Sequence, residues 1–366
     1  MKYYVVERIA RTERTAWSKA RGDAESIAES EGFKPIEVQG TGTERADSSL
    51  LNKLSGHRKM GVLWKNAFKT LKKGDLLFIQ LPFVNNYLFM KAVIKDLKRR
   101  GVKVTALIHD LETLRMITDK SIPFKQKMRM RIEEIGVLKE CSRLIVHNDR
   151  MCEFVKGLGI NTPMTVLGIF DYLISPSENG VTVEALARER SREIPKSVII
   201  AGNLDEHKSG YIYEIPDSVS VELYGVNYKE NNKKNLHYNG SFPSDKLPYE
   251  LCNGFGLVWD GPECDACTGA YGEYLRYNNP HKTSLYLASR IPIVIWDKAA
   301  LAEFVEKNGV GFTVSSLGEI PDKLNALTEE EYGKMYRNVE GVSKKLFKGE
   351  FLRSALSKAQ QEDCEL

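Results

Sequence analysis

The segment YNNPHKTSLYLASRIPIVIW, residues 277–296, gathers the side chains best suited to hold an anion. Asn279 is a good helix N-cap, and Pro280 suits the first helical position. Lys282, Thr283 and Ser284 then fall in the first turn, where backbone N–H groups lack helical partners and favour negative charge. A lysine and two hydroxyls there suit a diphosphate and a ribose. The apolar run Ile291–Trp296 that follows predicts a buried strand, so the site belongs to an α/β domain.

Other candidates follow apolar runs. Gly202 and Asn203 lead from Ser197–Ala201 toward Lys208. Glycine lets the backbone turn close to a ligand, and Lys208 could reach a phosphate. A plain turn with a solvated lysine is the simpler alternative. Tyr224 is expected to end the strand Val219–Tyr224 and present its ring to a base. Gly240-Ser241-Phe242-Pro243 follows Leu236–Asn239 and leads into a helix at Ser244. Such a turn can expose backbone N–H and C=O groups to the edge of uracil; a generic strand–helix turn is the alternative.

His109 and Asp110 end the run Lys103–Ile108, and a histidine with a carboxylate at a strand end suits acid–base chemistry. Otherwise Asp110 caps the next turn and His109 is structural. The loop Arg8–Thr15 carries Arg11 and Thr15, with Trp17 just beyond. It reads as a lip over acceptor or donor, or as a solvated loop. No Asp-x-Asp occurs, so no metal is expected. Lys282 and the helix start would then stabilise a leaving diphosphate, at roughly 1.5–3 kcal/mol per charged hydrogen bond. Cys264 and Cys267 form a lone CxxC without further ligands at zinc spacing, and are read as two free thiols in a loop.

The elements that must position these residues alternate. Strands are expected at Lys2–Glu7, Lys34–Val38, Leu76–Gln80, Lys103–Ile108, Arg143–His147 and Met164–Leu167. Helices are expected at Trp17–Gly32, Lys59–Lys72, Asn86–Arg100, Pro123–Lys139 and Asn148–Leu158. The rhythm breaks over Gly168–Arg190 and restarts with Ser197–Ala201, Val219–Tyr224, Leu236–Asn239, Phe255–Trp259, Ile291–Trp296 and Gly311–Val314. Alternation of this kind predicts two doubly wound parallel sheets, with ligands beyond the carboxyl ends of the strands. The expected domains are residues 1–170 and 171–345. Gly261–Tyr277 reads as a long irregular insertion, and Glu329–Gln361 as one helical run whose end, about 346–366, packs back on the first domain.

Composition excludes several classes. The 366 residues carry a formal charge of +4, and no apolar run nears the roughly 20 residues that span a bilayer. The mild basicity suits an anionic ligand or an anionic membrane surface and is no argument for a nucleic-acid partner, and none is expected. The N-terminus does not resemble a signal peptide, so reduced thiols and a cytoplasmic setting are expected. The basic helical pieces Lys65–Lys73 and Lys125–Arg131 are solvated faces or peripheral contacts with anionic lipid at the inner membrane face. A homo-oligomer is compatible with the sequence.

Taken together, the chain resembles GT-B glycosyltransferases. The resemblance is closest to the branch of adhesin-glycosylating glucosyltransferases and bacterial β-1,6-galactofuranosyltransferases. It is carried by LIHDLETLR (107–115), LIVHNDRMCEFVKGLGI (144–160), LGIFDYL (167–173), AGNLDEHKSG (201–210), LYGVN (223–227), YNGSFPSDKLP (238–248), FGLVWDG (255–261) and NNPHKTSLYLASRIPIVIW (278–296). It implies two Rossmann-like domains facing across a cleft and a UDP-sugar donor held by the C-terminal one. Asn203 and Lys208 would sit by the diphosphate, and Tyr224, Gly240 and Phe242 around the uridine. Lys282, Thr283 and Ser284 would sit at the phosphates and ribose. The N-terminal domain would take a glycan or glycoprotein acceptor, with His109, Asp110 and the loop near Thr15.

The expected activity is metal-independent transfer of a hexosyl group, glucose, galactose or galactofuranose, from a UDP-sugar to a sugar hydroxyl. A non-catalytic GT-B partner of another transferase is the alternative, and a nucleotide-sugar epimerase a third.

Overall fold

A computed structural model describes residues 1–8, 16–39, 50–84, 89–117, 122–177, 179–190 and 193–362. Contacts divide the chain into two units: Met1–Thr12 with Ala24–Leu167 and Leu352–Leu366, and Glu13–Asp23 with Gly168–Phe351.

The first unit holds strands β1 (Lys2–Arg8), β2 (Lys34–Gln39), β3 (Leu76–Leu81), β4 (Lys103–Ile108), β5 (Arg143–Val146) and β6 (Met164–Val166). The helices between them are α1 (Ala16–Ser30), α2 (Leu50–Ala67), α3 (Met90–Arg99), α4 (Glu112–Ile117), α5 (Phe124–Glu140) and α6 (Asp149–Gly157). All six strands pair in parallel in the order β2-β1-β3-β4-β5-β6. Strands such as LLFIQL and RLIV are buried along nearly their whole length, as a parallel sheet covered on both faces requires.

The second unit follows with α7 (Val183–Arg190), β7 (Ser197–Asn203), α8 (Glu206–Ser209), α9 (Tyr211–Glu214), β8 (Ser220–Val226) and β9 (Leu236–Tyr238). Next come α10 (Leu247–Glu250), β10 (Phe255–Val258), α11 (Gly269–Tyr274), α12 (His281–Ala288) and β11 (Ile293–Trp296). The unit ends with α13 (Ala302–Asn308), β12 (Gly311–Val314), α14 (Ile320–Ala326) and α15 (Glu329–Phe347), and most of the closing α16 (Glu350–Glu362) belongs to the first unit. The parallel sheet of the second unit runs β12-β11-β10-β7-β8-β9. Trp259 and Trp296, both fully buried, meet edge to face at 6.3 Å in its core. Burial of each ring is worth on the order of 4 kcal/mol.

Four expectations are corrected. The N-cap of α12 is Pro280, and Asn279 instead donates its side-chain N–H to the Gly168 carbonyl at 2.9 Å. Strand β8 does not stop at Tyr224 but continues to Val226, because Gly225 fits against Gly202 of β7. The stretch Gly261–Tyr277 is not wholly irregular, since it carries α11. The last helical run is two helices, interrupted at Gly349 with φ of 67°.

Candidate functional site

Strand order in the second unit reverses between β7 and β10, the place where open α/β sheets form a ligand crevice. Pairing of β10 with β7 covers Phe255 with Val198 and Gly256 with Ile199. The Ala201 N–H lies beyond it and donates to Tyr286 Oη of α12 at 2.8 Å. The Tyr286 ring rests on Gly256, where a Cβ would stand 2.2 Å from ring carbons. Glycine in β10 and tyrosine in α12 thus seat the start of α12 against the strand ends.

Lys282 occupies the first turn of α12. Its ammonium donates to Asp260 Oδ1 at 2.8 Å and to the Trp259 carbonyl at 2.9 Å. Burial lowers its pKa; the Asp260 carboxylate opposes this and the Lys208 cation adds to it. Among the described residues, no side chain caps the helix start. Thr283 Oγ1 is buried without a hydrogen-bond partner among the described residues. Ser284 donates to the Phe170 carbonyl at 2.6 Å, so its hydroxyl serves the fold.

The turn after β7 is built on Asn203 and Asp205. Asn203 Oδ1 accepts from Asp205 N–H at 3.1 Å and from the Asn227 amide at 2.9 Å. Asp205 caps α8, which carries Lys208. The Lys208 ammonium stands 5.7 Å above the Tyr271 ring. Its carbonyl accepts from Gly261 N–H at 2.8 Å, which ties the Lys208 turn to the end of β10. Two cations and one carboxylate therefore share the switch point.

Gly202, Gly225 and Gly240 line up across β7, β8 and the turn after β9. Gly225 N–H donates to the Gly240 carbonyl at 2.8 Å, and a Cβ on Gly225 would meet the Gly202 carbonyl at 1.8 Å. Only glycine allows this approach. Tyr224 is buried rather than presented, and its hydroxyl accepts from Cys252 N–H at 3.1 Å. The half-buried Phe242 ring lies 6.4 Å from it.

In the first unit, His109 is buried with Nε2–H on Gln80 Oε1 at 2.7 Å, so that nitrogen is committed to the fold. Asp110 beside it is half-buried. Arg11 and Thr15 lie outside the described residues, as does the side chain of Trp17.

Several buried groups at these strand ends were not anticipated. His147 after β5 donates through Nε2 to the Ile108 carbonyl at 2.9 Å, and burial holds its pKa down to about 4. Glu7 of β1 accepts from Val84 N–H at 3.1 Å. His281 at the start of α12 stacks on Tyr172 at 5.0 Å, with Nε2 lacking a partner among the described residues. Burial and the Lys19 cation hold its pKa down to about 3. Lys19 pairs with Asp23 at 2.6 Å and with Asp245 at 3.2 Å, and burial raises the Asp23 pKa to about 6 against the pull of Lys19. The signal for Asp260, Glu7 and His147 is one feature: a polar residue closing an apolar strand. Cys264 is half-buried and Cys267 buried, and burial raises both thiol pKa values, Cys264 to about 11.

Residues 2–169 and 198–359 match the models of the N-terminal and C-terminal domains of glucosyltransferase 3-like proteins. The chain belongs to the glucosyltransferase 3-like family. It is a glycosyltransferase of GT-B fold. The β-1,6-galactofuranosyltransferase WbbI of Escherichia coli is 33% identical over 78% of this chain and 79% of its own. Glucosyltransferase 3 of Streptococcus parasanguinis is 24% identical over 79% of each chain. A sucrose-phosphate synthase from Thermosynechococcus elongatus shares the fold, with a TM-score of 0.63 at 12% identity, covering 99% of this chain and 98% of that one.

Proposed function

We propose that this glucosyltransferase 3-like protein transfers a hexosyl group from a UDP-sugar to a sugar hydroxyl of a glycan or glycoprotein, without a metal ion. The second unit is the donor-binding domain. The observation that carries the reading is Lys282, held against Asp260 beside the uncapped start of α12 at the β7/β10 switch point. A diphosphate there would receive the Lys282 ammonium, first-turn N–H groups and the Thr283 hydroxyl, which has no partner among the described residues. Lys208 and Asn203 face the same ligand from the β7 turn. Gly240 and Phe242 border the uridine, with Tyr224 beneath. Ser284 holds the helix rather than the ligand, because its hydroxyl donates to the Phe170 carbonyl.

The first unit is the acceptor domain. In an inverting transfer, Asp110 takes the proton of the acceptor hydroxyl as that oxygen attacks the anomeric carbon. The bond from that carbon to the β-phosphate oxygen breaks, and UDP leaves with its charge stabilised by Lys282 and the helix start. His109 orients the strand end through Gln80 rather than moving the proton. The named relatives favour a hexose as the transferred group, glucose or galactofuranose in their own cases. Screening UDP-glucose, UDP-galactose and UDP-galactofuranose for acceptor-dependent UDP release tests the reading. Release with one sugar and one class of acceptor supports it; no release across the panel, or a changed sugar without acceptor, refutes it.

A further inference from the structure

Helix α5 buries its C-terminal half and exposes apolar side chains along its N-terminal half. Its C-terminal half is anchored: Gly136, Val137 and Leu138 are buried, and the Glu134 carboxylate accepts from the Glu112 and Thr113 N–H groups at 2.8 Å each. Its N-terminal half presents apolar side chains outward. Phe124 is 75% exposed, Ile132 64% and Met128 39%. Spaced four apart, they form one ridge, turning by about 40° from each to the next.

The ridge is flanked by cations on both sides. At about 100° per residue, Lys127 and Arg131 lie along one edge, and Lys125 and Arg129 along the other. Four basic and no acidic side chains occur from Phe124 to Ile132. The nearest acid, Glu133, pairs with Arg129 at 3.0 Å, and Glu134 is turned inward to α4. No helix among the described residues is long and apolar enough to cross a membrane.

We infer that the exposed face of α5 docks on an anionic lipid surface, with Phe124, Met128 and Ile132 at the headgroup–acyl boundary and the flanking cations on lipid phosphates. Large apolar side chains bordered by lysine and arginine are the composition of an interfacial helix. A second copy is the poorer occupant, because a symmetric contact would bring two sets of four cations together. The inference does not depend on which sugar is transferred, or on whether UDP binds.

Co-sedimentation of the full chain with vesicles tests it. Binding is expected to vesicles containing phosphatidylglycerol and not to pure phosphatidylcholine, and to fall as salt rises. Two variants separate the contributions. Lys125→Gln with Arg129→Gln is expected to weaken binding by roughly 25-fold, at about fivefold per basic group. Phe124→Ser with Ile132→Ser is expected to weaken it tenfold or more (on the order of a few buried methylenes). All substituted side chains are exposed or half-buried, so unchanged circular dichroism melts are expected. Equal binding to neutral vesicles, no binding to anionic ones, or undiminished binding by both variants overturns the assignment. So does a concentration-dependent dimer that the apolar variant abolishes while vesicle binding is absent.

Discussion

Lys282 Nζ and Asp260 Oδ1 lie 2.8 Å apart with both side chains largely buried. The carboxylate lies two residues beyond β10 and the ammonium in the first turn of α12, so one ion pair ties the helix start to the end of the strand. A buried charge without its partner is costly, whereas removing both charges is often neutral.

That asymmetry gives the first prediction. Asp260→Asn and Lys282→Met should each destabilise the protein by about 3 kcal/mol, read from urea unfolding. The double variant should recover most of that loss and still bind UDP more weakly than the unsubstituted protein. Additive destabilisation would mean that the pair does not couple.

Tyr286 supplies a second. Tyr286→Phe keeps the ring on Gly256 and removes the acceptor for Ala201 N–H. The expected cost is about 1–3 kcal/mol for a buried N–H left unpaired, with the fold retained. A change within error would show that the amide finds another partner.

A third concerns catalysis. Asp110→Asn should lower kcat by roughly 100-fold or more and leave UDP affinity unchanged. Full turnover would remove Asp110 from the mechanism. His109→Gln should act mainly on stability, through loss of the contact with Gln80.

Acid sensitivity follows from two buried histidines. His147 and His281 have folded pKa values of about 4 and about 3, below their ordinary value. Unfolded chains take up these protons first as pH falls below about 6.5, so stability drops by up to ~1.4 kcal/mol per pH unit for each. Asp23 opposes this, because its raised folded pKa of about 6 lets the folded state take up a proton between pH 6 and about 4. Tm should therefore fall between pH 6.5 and 4, and fall less in His147→Gln once its own destabilisation is measured at pH 8. An identical pH slope in that variant would contradict the argument.

Much of this was legible in the chain. Strands Lys103–Ile108 and Gly311–Val314 are seen at their expected bounds, and the fully buried RLIV of β5 and IVIW of β11 are the apolar runs that a sheet covered on both faces leaves. The doubly wound order followed from alternation. The helix start at Lys282 was readable, but its cap moved to Pro280, since the Asn279 side chain is engaged by Gly168. Partners distant in sequence were not readable. Asp260 meets Lys282 from 22 residues away, and Ser284 meets Phe170 from 114. Tyr224 was expected to end its strand and present its ring, but the strand continues to Val226 and the side chain is buried.

The central claim is that the second unit holds the diphosphate of a UDP-sugar at Lys282. Isothermal titration of UDP into the full chain and into the Lys282→Met/Asp260→Asn variant tests it most directly, because both proteins should be folded. The account predicts binding to the unsubstituted protein without added metal, and at least about tenfold weaker binding to the variant, the loss expected for one charged hydrogen bond. No binding by the unsubstituted protein, or equal affinity in the two, would contradict it.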